Sequence, residues 1–322
     1  MPLELKILIA VVLDLLFGDP RWLPHPVKLI GRFAGALEAP ARRLVTSARW
    51  AGVVTCGTVT GATALITALL CIGLHRIHPI AGDITDIIII YTGIAAGDLY
   101  AHGMTVRTAL AEGDLQGARA AVSMICGRDT ESLDEAGASR ATVESIAENM
   151  VDGVTAPLFY AVLGGPIGIM AYKAVSTLDS TFGYKNERYI DFGWASARLD
   201  DVAAFMPCRL TALLVPLAAL ILRERPLTSI RVLARDRNRH PSPNAGQAEA
   251  AVAGALGVQL GGLSFYDGKP EEKPTLGDPI ETPTADHIRR AGILMLVTSA
   301  LALMVLLGAR AAVLGIGTRS LF

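Results

Sequence analysis

The apolar positions of this chain gather in long runs. Six of them stand out: 3–17, 51–74, 84–99, 154–172, 202–222 and 291–316. A full bilayer crossing takes about 20 apolar residues, so each run is long enough to cross the membrane or to enter it. The run 51–74 carries no charge, and 291–316 carries only Arg310. A buried helix of a water-soluble protein rarely stays apolar over such lengths. The pattern predicts an all-α polytopic integral membrane protein, a single domain over 1–322, with four to six membrane-embedded helices and cytoplasmic helical insertions. Residues 3–17 read as a retained first helix. Asp14 interrupts their apolar stretch, and no small-residue cleavage site follows.

Two runs carry breaks. Pro157 and Gly164-Gly165-Pro166 interrupt 154–172, while Pro207, Arg209 and Pro216 interrupt 202–222. An arginine at the bilayer centre costs about 2.5–3.5 kcal/mol on insertion scales. Broken helices persist at membrane depth where protein or a watery cavity surrounds them. The expectation is that these two runs enter the membrane without crossing it. The other four would then cross.

Basic residues set the orientation. Arg21, Lys28, Arg32, Arg42, Arg43 and Arg49 lie between the first two runs, and only Arg76 lies between the next two. Ten Lys/Arg fall in 223–290. Stretches 18–50, 100–153 and 223–290 are therefore expected in the cytoplasm, with both termini outside. Trp22 reads as an interfacial anchor.

Composition narrows the function classes. Hydrophobic residues make up 52% and charged residues 18%, against about 25% charged in an average soluble domain. Lys+Arg 29 against Asp+Glu 30 gives a net charge of −1, which excludes a general nucleic-acid binder. Cys56, Cys71, Cys126 and Cys208 form no CxxC pair and imply neither a zinc site nor a disulfide framework. The Pro- and charge-rich stretch 267–284 reads as an exposed loop, within a variable region of about 263–284.

Four blocks hold chemistry. In 141–153, Glu144, Glu148 and Asp152 are spaced i, i+4, i+8, which a helix places on one face. Like charges so stacked call for a cation or a basic partner, and oxygen-rich sites of this kind suit Mg²⁺ with bound phosphate. In 173–189, Lys173, Lys185 and Arg188 stand with Asp179, Glu187, Tyr184 and Asn186, a mixture suited to a polar, phosphate-bearing ligand. In 231–249, Arg231, Arg235, Arg237, Arg239 and His240 precede Asn244, with Gln247 three residues on. That N-x-x-Q spacing predicts a helix starting near Ala245, whose free N–H groups favour an anion. In 18–32, three prolines fix an extended or turning path carrying Asp19, His25 and Arg32. There is no GxxxxGK[ST], HExxH or GxSxG, and no GxGxxG with a strand before it.

Together these blocks resemble the adenosylcobinamide-phosphate synthases of cobalamin biosynthesis, the CobD/CbiB family. The matching stretches are LDLLFGDPRWLPHPVKLIGR (13–32), GRDT (127–130), VESIAENMVDGVTAPLFYAVLGG (143–165), MAYKAVSTLDSTFGYKNERY (170–189), SARLDDVAAFMPCRL (196–210) and RDRNRHPSPNAGQAEAAVAGALGVQLGG (235–262). The resemblance implies an inner-membrane ligase with its site facing the cytoplasm. Such an enzyme joins adenosylcobyric acid, its corrinoid substrate, to (R)-1-amino-2-propanol O-2-phosphate or ethanolamine phosphate. It uses ATP and Mg²⁺ and makes adenosylcobinamide phosphate. The lipid bilayer and other late-pathway cobalamin enzymes are the implied partners. Placed on these motifs, Glu144, Glu148, Asp152 and Asp179 form the catalytic set, with Mg²⁺ on Glu144, Glu148 and Asp152. Lys173, Lys185, Arg188, Arg237 and Arg239 form the phosphate set. Asn149, Asn186 and Asn244 orient substrate, and Asp19 and His25 complete the binding residues. The alternatives are a non-enzymatic membrane sensor, which would need neither the acidic face nor the KNERY block, and an intramembrane Mg²⁺-dependent prenyltransferase, which would pair its aspartate clusters.

Overall fold

The computed structural model describes residues 1–20, 25–184, 186–266 and 268–319. The chain forms α1 (Leu3–Phe17), α2 (Pro26–Leu44), α3 (Ala48–Ile77), α4 (Pro79–Tyr91), α5 (Ala96–Ala111), α6 (Leu115–Ser123) and α7 (Glu135–Asn149). A π-helical turn, Met150–Thr155, leads into α8 (Ala156–Phe182). Then come α9 (Trp194–Ile221), α10 (Pro226–Asp236), α11 (Ala245–Leu256), β1 (Leu260–Tyr266), β2 (Lys269–Leu276) and α12 (Ala285–Arg319). The fold is the all-α, polytopic membrane architecture that the apolar runs predict.

Two compact units share the chain. The first comprises Met1–Ala95, Ala156–Ala204 and Leu306–Phe322, and the second Ala96–Thr155 and Phe205–Val305. In the first, α3 packs on α2, α4 and α8. Its core is built from Ile30, Ala34, Ala51, Val59, Leu178 and Phe182, with Phe192 set edge-on to Phe182 at 5.0 Å. Gly52 permits the close approach, because a Cβ there would lie 1.8 Å from the Phe192 carbonyl oxygen. On its outer side α3 leaves Leu65, Ile66, Leu69 and Ile72 exposed. An apolar surface of this size suits lipid.

In the second unit α11 is buried from Gly246 to Leu256. Its run of Ala and Gly lets neighbours approach closely. At Gly254 a Cβ would stand 2.7 Å from the Thr228 carbonyl oxygen of α10. Helix α7 and the β1–β2 hairpin also pack on α11, and α5 packs on α6 and α7.

Among the described residues, five helical stretches are long and apolar enough to cross a membrane: Ala48–Ile77, Pro79–Ala111, Glu135–Phe182, Trp194–Ile221 and Ala285–Gly315. At 15 residues, α1 is shorter than a full crossing. Run 84–99 is divided between α4 and α5 by the turn at 92–95. Run 154–172 breaks where expected. Gly165 adopts φ 57° and ψ −143°, a conformation essentially confined to glycine. Pro166 has no N–H to give the Val162 carbonyl. Arg310 Nη1 donates to that oxygen instead at 3.0 Å, while its Nε donates to Glu4 at 2.9 Å.

Run 202–222 does not break. Helix α9 continues through Pro207 and Pro216, so the interruption expected there is corrected. Pro207 would leave the Ala203 carbonyl bare, and the Tyr160 hydroxyl donates to it at 3.1 Å. The loop expected over 267–284 is also corrected. Its residues 269–276 form one strand of an antiparallel hairpin that pairs Leu260 with Leu276 and Tyr266 with Lys269.

Replacing Gly165 with Ala should destabilise the protein by about 1–3 kcal/mol, because the side chain meets a forbidden backbone region. Thermal unfolding in detergent checks this, with a lowered midpoint as the expected result.

Candidate active site

Helix α7 starts at Asp134, whose carboxylate accepts the Gly137 N–H at 2.7 Å. The helix carries Glu144 into the interior, where it is 5% exposed. Its Oε2 accepts from Arg128 Nη2, and its Oε1 accepts the Gly261 N–H at 2.6 Å. Arg128 also reaches the Ser264 hydroxyl at 3.3 Å. Asp129 ties the same hairpin twice: its N–H donates to the Phe265 carbonyl at 2.8 Å, and its carboxylate accepts the Gly268 N–H at 2.7 Å. Glu144 is therefore engaged in holding the hairpin to α7.

One turn later, Glu148 is exposed to solvent. Glu249 of α11, 6% exposed, lies within electrostatic reach of Glu148 and Glu144. Lys273 of β2 and Arg128 supply the opposing charge. Three carboxylates thus face two cations, and negative charge is left over. Burial first, then the charges of Glu148 and Glu144, push the Glu249 pKa well above its ordinary 4.5. Among the described residues no hydrogen bond reaches either the Glu148 or the Glu249 carboxylate.

The surroundings are polar. Burial works against the charge of Lys273, but its 2.6 Å hydrogen bond to the Tyr266 hydroxyl and the nearby carboxylates keep its pKa raised. His240 Nε2 stands 3.9 Å from Glu249 Oε1, and burial together with Lys273 lowers its pKa. The group is well placed to hold a cation or an amine against Glu148 and Glu249.

The other expected residues take different positions. Asp152 leaves the acidic stripe. Helix α7 ends at Asn149 and the chain unwinds into the wider π-helical turn, so the spacing that aligned three carboxylates no longer holds. Asp152 acts electrostatically on Cys208. Asn149 donates back to its own helix, to Ser145 O at 2.9 Å. Helix α11 starts at Ala245 as the spacing predicts, but Asn244 does not cap it with its side chain. Ser242 Oγ accepts the Ala245 N–H at 3.2 Å, and Asn244 Oδ1 accepts from Cys208 Sγ and Arg209 Nη1, both at 3.3 Å. Arg239 pairs with Asp236 at 3.3 Å, while Arg237 is exposed.

Lys173, Asp179, Asn186, Arg188, Asp19 and His25 belong to the first unit. Arg188 donates to both oxygens of Glu38, at 3.1 and 2.9 Å, a carboxylate it shares with Arg42 at 3.0 Å. Asn186 Oδ1 accepts the Tyr189 N–H at 3.1 Å within its own turn. Lys173 and Asp179 are half-buried on α8. His25 Nε2 lies 3.4 Å from Asp19. Lys185, Arg21 and Trp22 lie outside the described residues.

Among the described residues, the three-member cluster with metal-ligand spacing is His75, Asp83 and Asp86. Lys6 Nζ already neutralises it, 2.6 Å from Asp83 and 2.7 Å from Asp86. Sequence reasoning missed Arg128, Glu249, Lys273 and Arg209. Glu249 had a visible signal, as the lone charge in an Ala/Gly-rich helix.

Across residues 7–295 the chain matches the family model described as CobD/Cbib protein. The chain belongs to the CobD/CbiB family. A cobalamin biosynthesis protein CobD from Geobacter metallireducens is 49% identical over 94% of this chain and 95% of its own length. The CobD of Klebsiella pneumoniae is 44% identical over 94% of this chain and 96% of its own. The cobalamin biosynthesis protein CbiB of Salmonella typhimurium is 43% identical over 96% and 98%. No solved structure matches the chain.

Two substitutions should move stability in opposite directions. Glu144→Gln leaves the Arg128 charge buried without its partner and should cost about 3–5 kcal/mol. Glu249→Gln removes a repelled carboxylate and should be neutral or stabilising. Denaturant or thermal unfolding of both variants reads the difference. A pH series tests the same residue. Glu249 holds its proton to higher pH folded than unfolded, so without divalent cation the wild type should lose stability as pH rises above about 4.5 and on through the raised folded value. Glu249→Gln should flatten that fall.

Proposed function

We propose that the second unit carries the active centre of an ATP-dependent amide synthase. It joins the propionate carboxylate of adenosylcobyric acid to (R)-1-amino-2-propanol O-2-phosphate or ethanolamine phosphate, giving adenosylcobinamide phosphate. The observation that carries this reading is the electrostatically linked pair of solvent-exposed Glu148 and buried Glu249, two carboxylates with excess negative charge. Family membership supports the pathway.

A free carboxylate does not react with an amine at neutral pH, so activation as an acyl phosphate at the expense of ATP is required. The amine then attacks, the C–N bond forms, the C–O bond to phosphate breaks, and phosphate leaves with ADP as the other product. The amine reaches the site as an ammonium and must lose a proton first. Glu249 suits that task, since burial and its acidic neighbours raise its proton affinity. Glu148 holds the ammonium in place until then. Glu144 acts at one remove, by fixing α7 and the hairpin through Arg128 and Gly261.

Glu148 presents the hard carboxylate oxygens that suit Mg²⁺ and would hold the ion together with substrate phosphates, which leaves Glu249 free as the base. When bound there, the ion would offset phosphate charge. The basic residues of 100–153 and 223–290 support a cytoplasmic side of the inner membrane for these segments.

Turnover by detergent-purified protein tests the reading. With adenosylcobyric acid, aminopropanol phosphate, ATP and Mg²⁺, mass spectrometry should find adenosylcobinamide phosphate. Product should vanish without ATP or with a chelator. Glu148→Gln should lower turnover by about 100-fold or more. No product and no bound corrinoid would reject the synthase.

A further inference from the structure

The arginines of α10 and its C-terminal turn are unequal. Asp236, fully buried, takes Arg235 at 2.7 Å and Arg239 at 3.3 Å, and Asp278 takes Arg235 again at 2.8 Å. Arg237 has no carboxylate partner among the described residues. It lines a cavity of about 350 Å³ together with Asn238, Arg209 of α9 and Gln247 of α11. The partners of Arg209 are neutral. It donates to the Phe205 carbonyl at 2.8 Å and to Asn244 Oδ1 at 3.3 Å, and lies 3.4 Å over the Phe205 ring. No acidic residue lines the cavity.

Gln247 is the telling member. It is 5% exposed, and its side-chain amide has no hydrogen-bond partner among the described residues. Its amide faces the cavity, so water or a ligand there is its partner. Two unmatched guanidiniums and an amide donor converge on one small space at the start of α11, where helix N–H groups add positive potential.

We propose that this cavity is a phosphate-binding subsite, and, resting on the amide-synthase reading, that its occupant is the phosphate of the amino-alcohol phosphate. The volume is at the low end for ligand sites, about 300–1,000 Å³; it suits a phosphate with a short carbon chain and is too small for a corrinoid. Guanidinium pairs are the strongest side-chain partners for phosphate.

Calorimetric titration of O-phosphoethanolamine into full-length protein in phosphatidylcholine nanodiscs, without ATP or corrinoid, tests the subsite. Saturable binding is expected, displaced by inorganic phosphate and not by ethanolamine. Arg237→Gln and Gln247→Leu should each weaken it about tenfold or more. Arg231→Gln, which removes an exposed charge outside the cavity, should leave it unchanged. Arg237 is itself exposed, so its replacement opens no core, and a thermal midpoint confirms each variant's fold. Undiminished binding in folded Arg237→Gln and Gln247→Leu protein overturns the subsite. Loss of wild-type binding in phosphatidylglycerol nanodiscs overturns the amino-alcohol assignment and gives the cavity to a lipid headgroup. Because binding is read without turnover, phosphate binding that depends on Arg237 in a protein that makes no product would keep the subsite and reject only the synthase.

Discussion

A buried carboxylate–guanidinium pair, Glu144 with Arg128, joins three stretches of chain that are far apart in sequence. Helix α7 supplies the carboxylate, the segment before it supplies the guanidinium, and β1 supplies a backbone N–H and a serine hydroxyl. Both side chains are less than one-tenth exposed, so neither charge can fall back on water. The pair is thus a constraint more than a source of stability. With it in place, Lys273 and Tyr266 are carried on the hairpin to the vicinity of Glu148 and Glu249. The acidic group is a consequence of where the hairpin is tied down.

A second theme is the repair of helices that proline has interrupted. The carbonyls of Val162 and Ala203 lose their normal helical donors at Pro166 and Pro207, and each gains a side-chain donor, Arg310 and Tyr160 respectively. In an apolar surrounding such oxygens cannot rely on water. The arginine therefore has a structural use for its charge, shared with Glu4. The same economy explains Lys6, whose ammonium lies between Asp83 and Asp86 and makes an apparent metal cluster a salt-bridge network.

Charge in the second unit is sorted by position along α11. Near its start, Arg209, Arg237 and Gln247 leave donors without acceptors. One half-turn on, Glu249 joins Glu148 to leave acceptors without donors. Asp236 does the sorting on the basic side, because it neutralises Arg235 and Arg239 and leaves Arg237 alone.

Long apolar runs by themselves determined that the chain is helical and membrane-embedded, since no other fold buries so many consecutive apolar residues. The Gly-Gly-Pro break and the start of α11 at Ala245 were legible for the same local reason, the backbone rules of glycine, proline and helix termini. Tertiary structure decided what those rules do not reach. Prolines 207 and 216 read as breaks, but packing supplied a donor for one freed carbonyl and α9 stayed whole. Asn244 read as a cap and became an acceptor for Cys208 and Arg209. Within 267–284, which read as a loop, residues 269–276 became strand β2 of the hairpin. Glu144, Glu148 and Asp152 looked equivalent by spacing, yet Arg128 and the Gly261 N–H engage the first, the second stays exposed, and a π-helical turn removes the third. Which carboxylate stays free depends on partners off the helix, one of them 117 residues away, and spacing along one helix carries no record of them.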